Sequence, residues 1–267
     1  MSNQLWLSFT QLNMFQECPE KWYSEYVEGI KGLSGKSAMW GTIFHALAAT
    51  GELPERGEYS WSLSEQIQLE KEALEYYNKA LQLPEFNEIQ AGAYKEKKCS
   101  FCLDEENEIY FTTIIDNYKI VGDMAYISDW KTGKYKKSYI KPLQLDVYAW
   151  SLWKNIPEIK KAKANLLFIK KKLEEKRRGI WTYPNGKEFG GKDYEIAWKE
   201  YNEDDFIKID DLVKETAYKM YNYKTRNGDQ KLFNSSFETC NFCVNPFCKI
   251  RTGKKIDEYD ILTDIEL

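Results

Sequence analysis

One stretch constrains this chain more than any other: Ile120-Val-Gly-Asp-Met-Ala-Tyr-Ile-Ser-Asp-Trp-Lys-Thr-Gly133. Its apolar and β-branched residues read as a strand, a tight reversal and a second strand. Side chains alternate along a strand, so Asp129 and Lys131 share a face. Asp123, on the neighbouring strand, adds a second carboxylate. Two carboxylates offer oxygen ligands to a hard divalent cation, and an ammonium beside them can position a water and offset phosphate charge.

The place of the turn decides which residue meets Asp129. Residues 123 and 125 share a face. If residues 126–128 form a three-residue loop, 125 lies opposite Asp129 and 123 opposite Lys131. One reading is that Asp123 is the native ligand in a shortened hairpin; the other, that Ala125 stands where an acid has been replaced, is what the family resemblance set out below implies.

The net charge of −4 conceals an asymmetry. Between Lys131 and Arg178 there are 15 Lys/Arg and 4 Asp/Glu, so the rest of the chain is strongly acidic. A basic segment beside a cation site suits a phosphate backbone, with Lys134, Lys136, Lys137, Lys170 and Lys171 as the candidate DNA contacts. A solvated face is the commoner meaning of such a run.

Upstream, Ser8 and Gln11 have the spacing of a capping box, and Pro19 suits the first turn of a second helix over residues 20–28. Residues 41–49 read as an apolar helix carrying His45, the single histidine of the chain. A long amphipathic helix is expected over residues 64–82, and a strand over 108–115. Asp116-Asn117 reads as the turn into the next strand. After the central motif, residues 143–153 form a helix, with Gln144 and Tyr148 four apart and therefore neighbours on one side. A strand over 164–170, a surface hairpin near 180–186 and a helix over 204–223 complete the pattern.

Taken together, these motifs resemble the PD-(D/E)XK nuclease superfamily in its RecB-like exonuclease branch. The resemblance is carried by Asp129-Trp-Lys-Thr-Gly133, by Gly41-x-x-x-His45, by Gln144-x-x-x-Tyr148, and by Ser8-Phe-Thr-Gln-Leu with Cys18-Pro-Glu-Lys-Trp-Tyr. It implies an α/β fold: a central mixed sheet flanked by helices, the restriction-endonuclease-like core. It further implies a metal-dependent DNA exonuclease. His45, Asp123, Asp129 and the backbone carbonyl of Trp130 would hold Mg²⁺ or Mn²⁺, with Lys131, Gln144 and Tyr148 completing the catalytic group. Single-stranded DNA or DNA ends are the implied substrate, with protein partners in recombination or CRISPR adaptation. The alternative is an inactive protein of the same fold that binds DNA or a partner.

Six cysteines in a chain without a recognisable secretory signal suggest metal ligation rather than disulfides, and a cytoplasmic location. No apolar run is long enough to span a bilayer. Cys18 with Cys240, Cys243 and Cys248 resembles the ligand set of the iron–sulfur members of the branch, the CRISPR-adaptation nucleases and the AddB nuclease domain. The resemblance thus implies a 4Fe–4S cluster that clips residues 1–35 and 235–250 together within a single nuclease domain, 1–267. The competing site is zinc on Cys99, Cys102, Cys240 and Cys243. The cluster is preferred because it gives Cys18 and Cys248 a purpose. A zinc-stabilised interaction module is the third option.

Overall fold

The structure is a computed structural model that describes residues 4–30, 35–56, 62–82, 84–132, 142–169, 181–182, 188–189 and 194–225. The expected contacts at Lys134, Lys136, Lys137, Lys170 and Lys171, and the cysteines Cys240, Cys243 and Cys248, lie outside these residues. The chain separates into two compact units, one of Met1–Phe9 with Ser34–Leu212, the other of Thr10–Leu33 with Val213–Leu267.

The first unit is built on a mixed sheet. Its strands are β1 (Leu5–Leu7), β2 (Tyr94–Asp104), β3 (Ile109–Val121), β4 (Met124–Lys131), β5 (Lys161–Ile169) and β8 (Tyr194–Tyr201). A separate two-stranded hairpin, β6 (Trp181–Thr182) with β7 (Glu188–Phe189), forms where Pro184-Asn-Gly186 suggests one. In the main sheet the order runs β1-β3-β4-β5-β8, with β2 also paired to β3. The β4–β5 pair is parallel and is crossed over by α6 (Pro142–Asn155); β2–β3, β3–β4 and β5–β8 are antiparallel. This is the expected α/β architecture, a mixed sheet with helices against it.

The helices of this unit are α3 (Lys36–Thr50), α4 (Leu63–Ala80) and α5 (Pro84–Gln90), with α6 and the start of α7 (Glu203–Thr225). The helix α4 opens on a capping box. Ser62 accepts from the Glu65 backbone N–H, and the Glu65 carboxylate accepts from that of Ser62. Trp40, Ile43, Phe44 and Leu47 of α3 pack with Tyr76, Phe86, Trp130 and Leu167 into one buried cluster. Trp130 meets Phe86 with ring centroids 4.8 Å apart. Alternation along β4 therefore turns Trp130 into the core and frees Asp129 and Lys131 for the other face, over which α6 packs.

The β3–β4 hairpin corrects the sequence reading. The register runs Val121↔Met124, Ile120↔Ala125 and on to Asn117↔Ser128, so the turn is Gly122-Asp123 and not residues 126–128. Gly122 takes a φ of +61°, which glycine adopts without Cβ strain. Asp116 and Asn117, expected in a turn, lie inside a 13-residue strand. Likewise β2 is a full strand where no strand was expected.

A gap in the sheet follows from this register. One edge of β3 is taken by β2 from Ile109 to Tyr118. The other edge is shared by β1, at Ile109–Phe111, and β4, from Asn117 onward. Between Phe111 and Asn117 that edge has no strand partner among the described residues.

In the second unit α1 (Phe9–Glu17) is followed by α2 (Pro19–Trp22) and a π-helical turn over Tyr23–Val27. Cys18 is buried at the N-cap of α2, with Pro19 in the first turn. Tyr223, near the end of α7, is fully buried and donates from its hydroxyl to Glu20 at 2.7 Å. It also meets Phe15 and Tyr23 edge-on at 6.0 and 5.5 Å. The described chain stops two residues later, at Thr225. No described helix is long and apolar enough to cross a membrane.

Candidate functional site

The site forms where β3 and β4 part. Asp116 sits at the end of the paired region, and its carboxylate takes over from the missing ladder: Oδ2 accepts from the Trp130 backbone N–H at 2.9 Å. The same oxygen lies 3.2 Å from Nδ1 of His45. His45 comes from α3, one turn after Gly41, where a side-chain Cβ would stand 3.5 Å from the Thr132 hydroxyl. Glu96 falls opposite Asp116 across the ladder, between Lys95↔Asn117 and Lys97↔Ile115, and reaches 3.8 Å from His45 Nδ1. One ligand atom from each of His45, Glu96 and Asp116 lies within 4.8 Å of the others.

A second set of contacts adjoins the first. Lys131 Nζ lies 2.7 Å from Asp129 Oδ2 and donates to Gln144 Oε1 at 2.8 Å. Gln144 Nε2 donates to Asp129 Oδ1 at 2.7 Å and lies 3.0 Å from the Tyr148 hydroxyl. The i, i+4 spacing on α6 thus places one amide between the acid and the ammonium, and one phenol beside the amide.

The electrostatics bind the two sets together. Burial pushes the Asp129 carboxyl up to about 6, the neighbouring Asp116 charge adds to this, and Lys131 and His45 oppose it. For His45 burial acts downward, but hydrogen bonds to Asp116 and Glu96 and the charges of Asp116 and Asp129 prevail and raise it to about 10. Tyr148 is held well above the usual phenol value by burial first and then by Asp129 and Asp116. Two crowded, buried carboxylates call for positive charge. Imidazole nitrogen and carboxylate oxygen are the donors Mn²⁺ and Mg²⁺ accept, so the donor set fits such a cation. A cleft of about 700 Å³ opens here, lined by small residues of α3 with His45, Glu96, Ile114, Asp116 and Thr132.

The structure therefore brings together His45, Asp129, Lys131, Gln144 and Tyr148, all expected from sequence. It does not bring Asp123 to them. Asp123 occupies the hairpin turn, where its backbone carbonyl accepts from Lys160 and Lys161. Six residues of extended chain, about 20 Å, separate it from Asp129. Ala125 is fully buried between Ile120 and Ala162, four residues from Asp129 on β4. The carboxylates that do adjoin His45 and the Asp129 group are Asp116 and Glu96, neither of which sequence reasoning placed there. Gly122-Asp123 between two β-rich runs is itself a two-residue hairpin signal and could have located the turn.

A family model described as the PD-(D/E)XK nuclease superfamily matches residues 6–249. The chain belongs to the PD-(D/E)XK nuclease superfamily. Among solved structures, a candidate exonuclease from Eubacterium rectale aligns over 95% of this chain and 94% of its own at 12% identity, with a TM-score of 0.55. That likeness is one of fold. A second solved structure aligns over 93% of this chain and 89% of its own at 14% identity, with a TM-score of 0.41, too low to argue from. No curated protein matches the sequence. The nuclease fold implies a nucleic-acid substrate; nucleases of this superfamily generally use divalent metals, and His45, Glu96 and Asp116 form a group that could hold one.

The cysteines of β2 bear on the zinc alternative. Cys99 is buried and Cys102 exposed, and the register is unbroken from Cys99↔Thr113 to Cys102↔Tyr110. Residues three apart on a strand point to opposite faces, so these two thiols cannot grip one zinc ion.

Proposed function

We propose that this protein is a Mg²⁺- or Mn²⁺-dependent DNA exonuclease of the RecB-like type, hydrolysing phosphodiesters in single strands or at DNA ends. The observation that carries the reading is the convergence of His45 and Asp116 beside the Asp129–Lys131–Gln144 group. His45, Asp116 and Asp129 would hold the cation, with the Trp130 carbonyl as a further ligand. When bound, the cation supplies a water of lowered pKa and neutralises charge on the phosphate.

The chain's own residues do the rest. Lys131, held by Asp129 and Gln144, aims an ammonium where charge develops on the phosphate oxygens and orients the water. Gln144 fixes the distance between Asp129 and Lys131 by binding both. Tyr148, kept as a phenol by burial and by its acidic neighbours, holds Gln144 in register.

Cys18, with Cys240, Cys243 and Cys248, would hold a 4Fe–4S cluster of structural role. Supporting this, Cys18 is buried in the same unit as Tyr223, and the cysteine-bearing tail follows Tyr223 in sequence. Such a clip between distant residues would restrict the unfolded chain.

The test is digestion of end-labelled single-stranded DNA with Mn²⁺, Mg²⁺ or chelator, with iron, sulfide and zinc measured on the same sample. Metal-dependent release of short products is expected. Intact substrate under every metal condition rejects the reading in favour of an inactive, binding-only protein.

A further inference from the structure

The outward face of β2 is not used by the chemistry above, yet it runs directly past it. Alternation puts Tyr94, Glu96, Lys98 and Ser100 on one face. Opposite them on β3 stand Tyr118, Asp116, Ile114 and Thr112. Glu96 and Asp116 border the cleft, as does Ile114. Tyr94 and Tyr118 are stacked with ring centroids 5.0 Å apart and 27° between planes. Tyr118 is buried, whereas Tyr94 is 57% exposed. On the other side of Glu96, Lys98 is exposed beside Ile114, itself 52% exposed.

We infer that this face is a platform for an unpaired nucleic-acid strand. Tyr94 stacks a base on one side of the cation cluster, and Lys98 takes a phosphate on the other. The inference rests on the nuclease reading and names the strand-handling residues for it.

Three physical points carry it. Stepping two residues along a strand covers about 7 Å, the scale of one nucleotide, so Tyr94 and Lys98 flank the cluster by one step each. A tyrosine backed by a second buried ring is rigid and loses little freedom on stacking, and any base has a π-face to offer it. Lys95 and Lys97, exposed on the other face of the same strand, add only to the general positive charge around it. Lysines on a sheet edge also discourage pairing with another chain, but an exposed tyrosine works against that end, so Tyr94 needs a different account. A duplex would keep its bases stacked on each other and would have no use for the ring.

The experiment uses the full chain carrying Lys131→Ala, so that DNA stays intact, with Ca²⁺ and a short fluorescent oligothymidylate or a blunt duplex, followed by anisotropy. Tyr94→Ala should weaken single-strand binding by about 10-fold or more, the scale of one stacked base, and leave duplex binding as it was. Tyr94→Trp should restore it. Lys98→Gln should flatten the log–log salt dependence by about 0.7, one phosphate contact on a single strand. Unchanged single-strand affinity for Tyr94→Ala, with its melting temperature preserved, overturns the platform while leaving the nuclease reading intact. Equal losses on single strand and duplex overturn it too, as does failure of Tyr94→Trp to rescue. If the Lys131→Ala parent binds neither DNA, the nuclease reading itself falls and this inference with it.

Discussion

Oδ2 of Asp116 lies 3.2 Å from Nδ1 of His45 and also accepts the backbone N–H of Trp130 at 2.9 Å. One carboxylate thereby ties the helix α3 to the strand that carries Asp129 and Lys131, at the point where β3 and β4 separate. Replacing it should remove both this brace and the cation ligand proposed for it. Asp116→Asn is expected to reduce single-strand digestion by about 1,000-fold or more, the scale seen when a central electrostatic group is lost. Asp123→Asn, in the hairpin turn, should digest DNA as the parent does. Initial rates in Mn²⁺ for the two variants check both statements.

Lys131→Ala should abolish turnover while DNA binding persists, because the ammonium acts on developing charge. Gln144→Ala should be milder in chemistry and visible in stability. It strips one partner each from a buried acid and an ammonium, which costs about 1–3 kcal/mol. Chemical denaturation of Gln144→Ala, beside its rate, separates the two effects.

Glu96 adopts a φ of +46° within a strand, a left-handed backbone conformation that L side chains rarely take. Such a conformation costs about 1 kcal/mol at a residue bearing a Cβ, and glycine relieves it. Glu96→Gly should therefore raise the stability of the metal-free protein by about that amount relative to Glu96→Ala. Both variants should bind Mn²⁺ more weakly than the parent. Denaturant midpoints and calorimetric titration test the two halves separately.

The raised pKa of His45, about 10, has a definite pH signature in the metal-free protein. Its protonated form is favoured by folding, so its contribution is complete below about 6.5 and is lost as pH climbs toward 10. Melting temperatures of metal-free protein should fall over that window, and His45→Gln should flatten the fall. Cation binding must displace the proton. Titrating Mn²⁺ at neutral pH in two buffers of different ionisation enthalpy should show close to one proton released.

For the cysteines, Cys18→Ser is expected to lose the absorbance near 400 nm typical of a cluster and to lower stability. Cys102→Ser should do neither, since that thiol is exposed on the opposite strand face from Cys99. Spectra of anaerobically purified protein decide between them.

What could be read from sequence was whatever depends on short, regular spacing. Asp129 and Lys131 share a face by period two, Gln144 and Tyr148 meet by period four, and His45 lies on the helix where it was expected. The mixed sheet followed from the same motifs. The acid facing Asp129 was misplaced because its position depends on register, a non-local property, and a different loop shifts every opposing pair. Asp116-Asn117 carries ordinary turn chemistry and gave no hint of lying inside a long strand. Glu96 was hidden among lysines that look like a solvated edge. Its proximity to His45 arises only when α3 and β2 come together in three dimensions.

The bare interval of β3, from Phe111 to Asn117, gives the sheet a seam. Amide protons facing it lack a neighbouring strand among the described residues and should exchange with solvent faster than those locked between β2 and β3. Asp116, at one end of that seam, is also where a cation would be gripped. Loading the ion should act as a staple, slowing exchange along β3 and rigidifying the cleft beside Asp116.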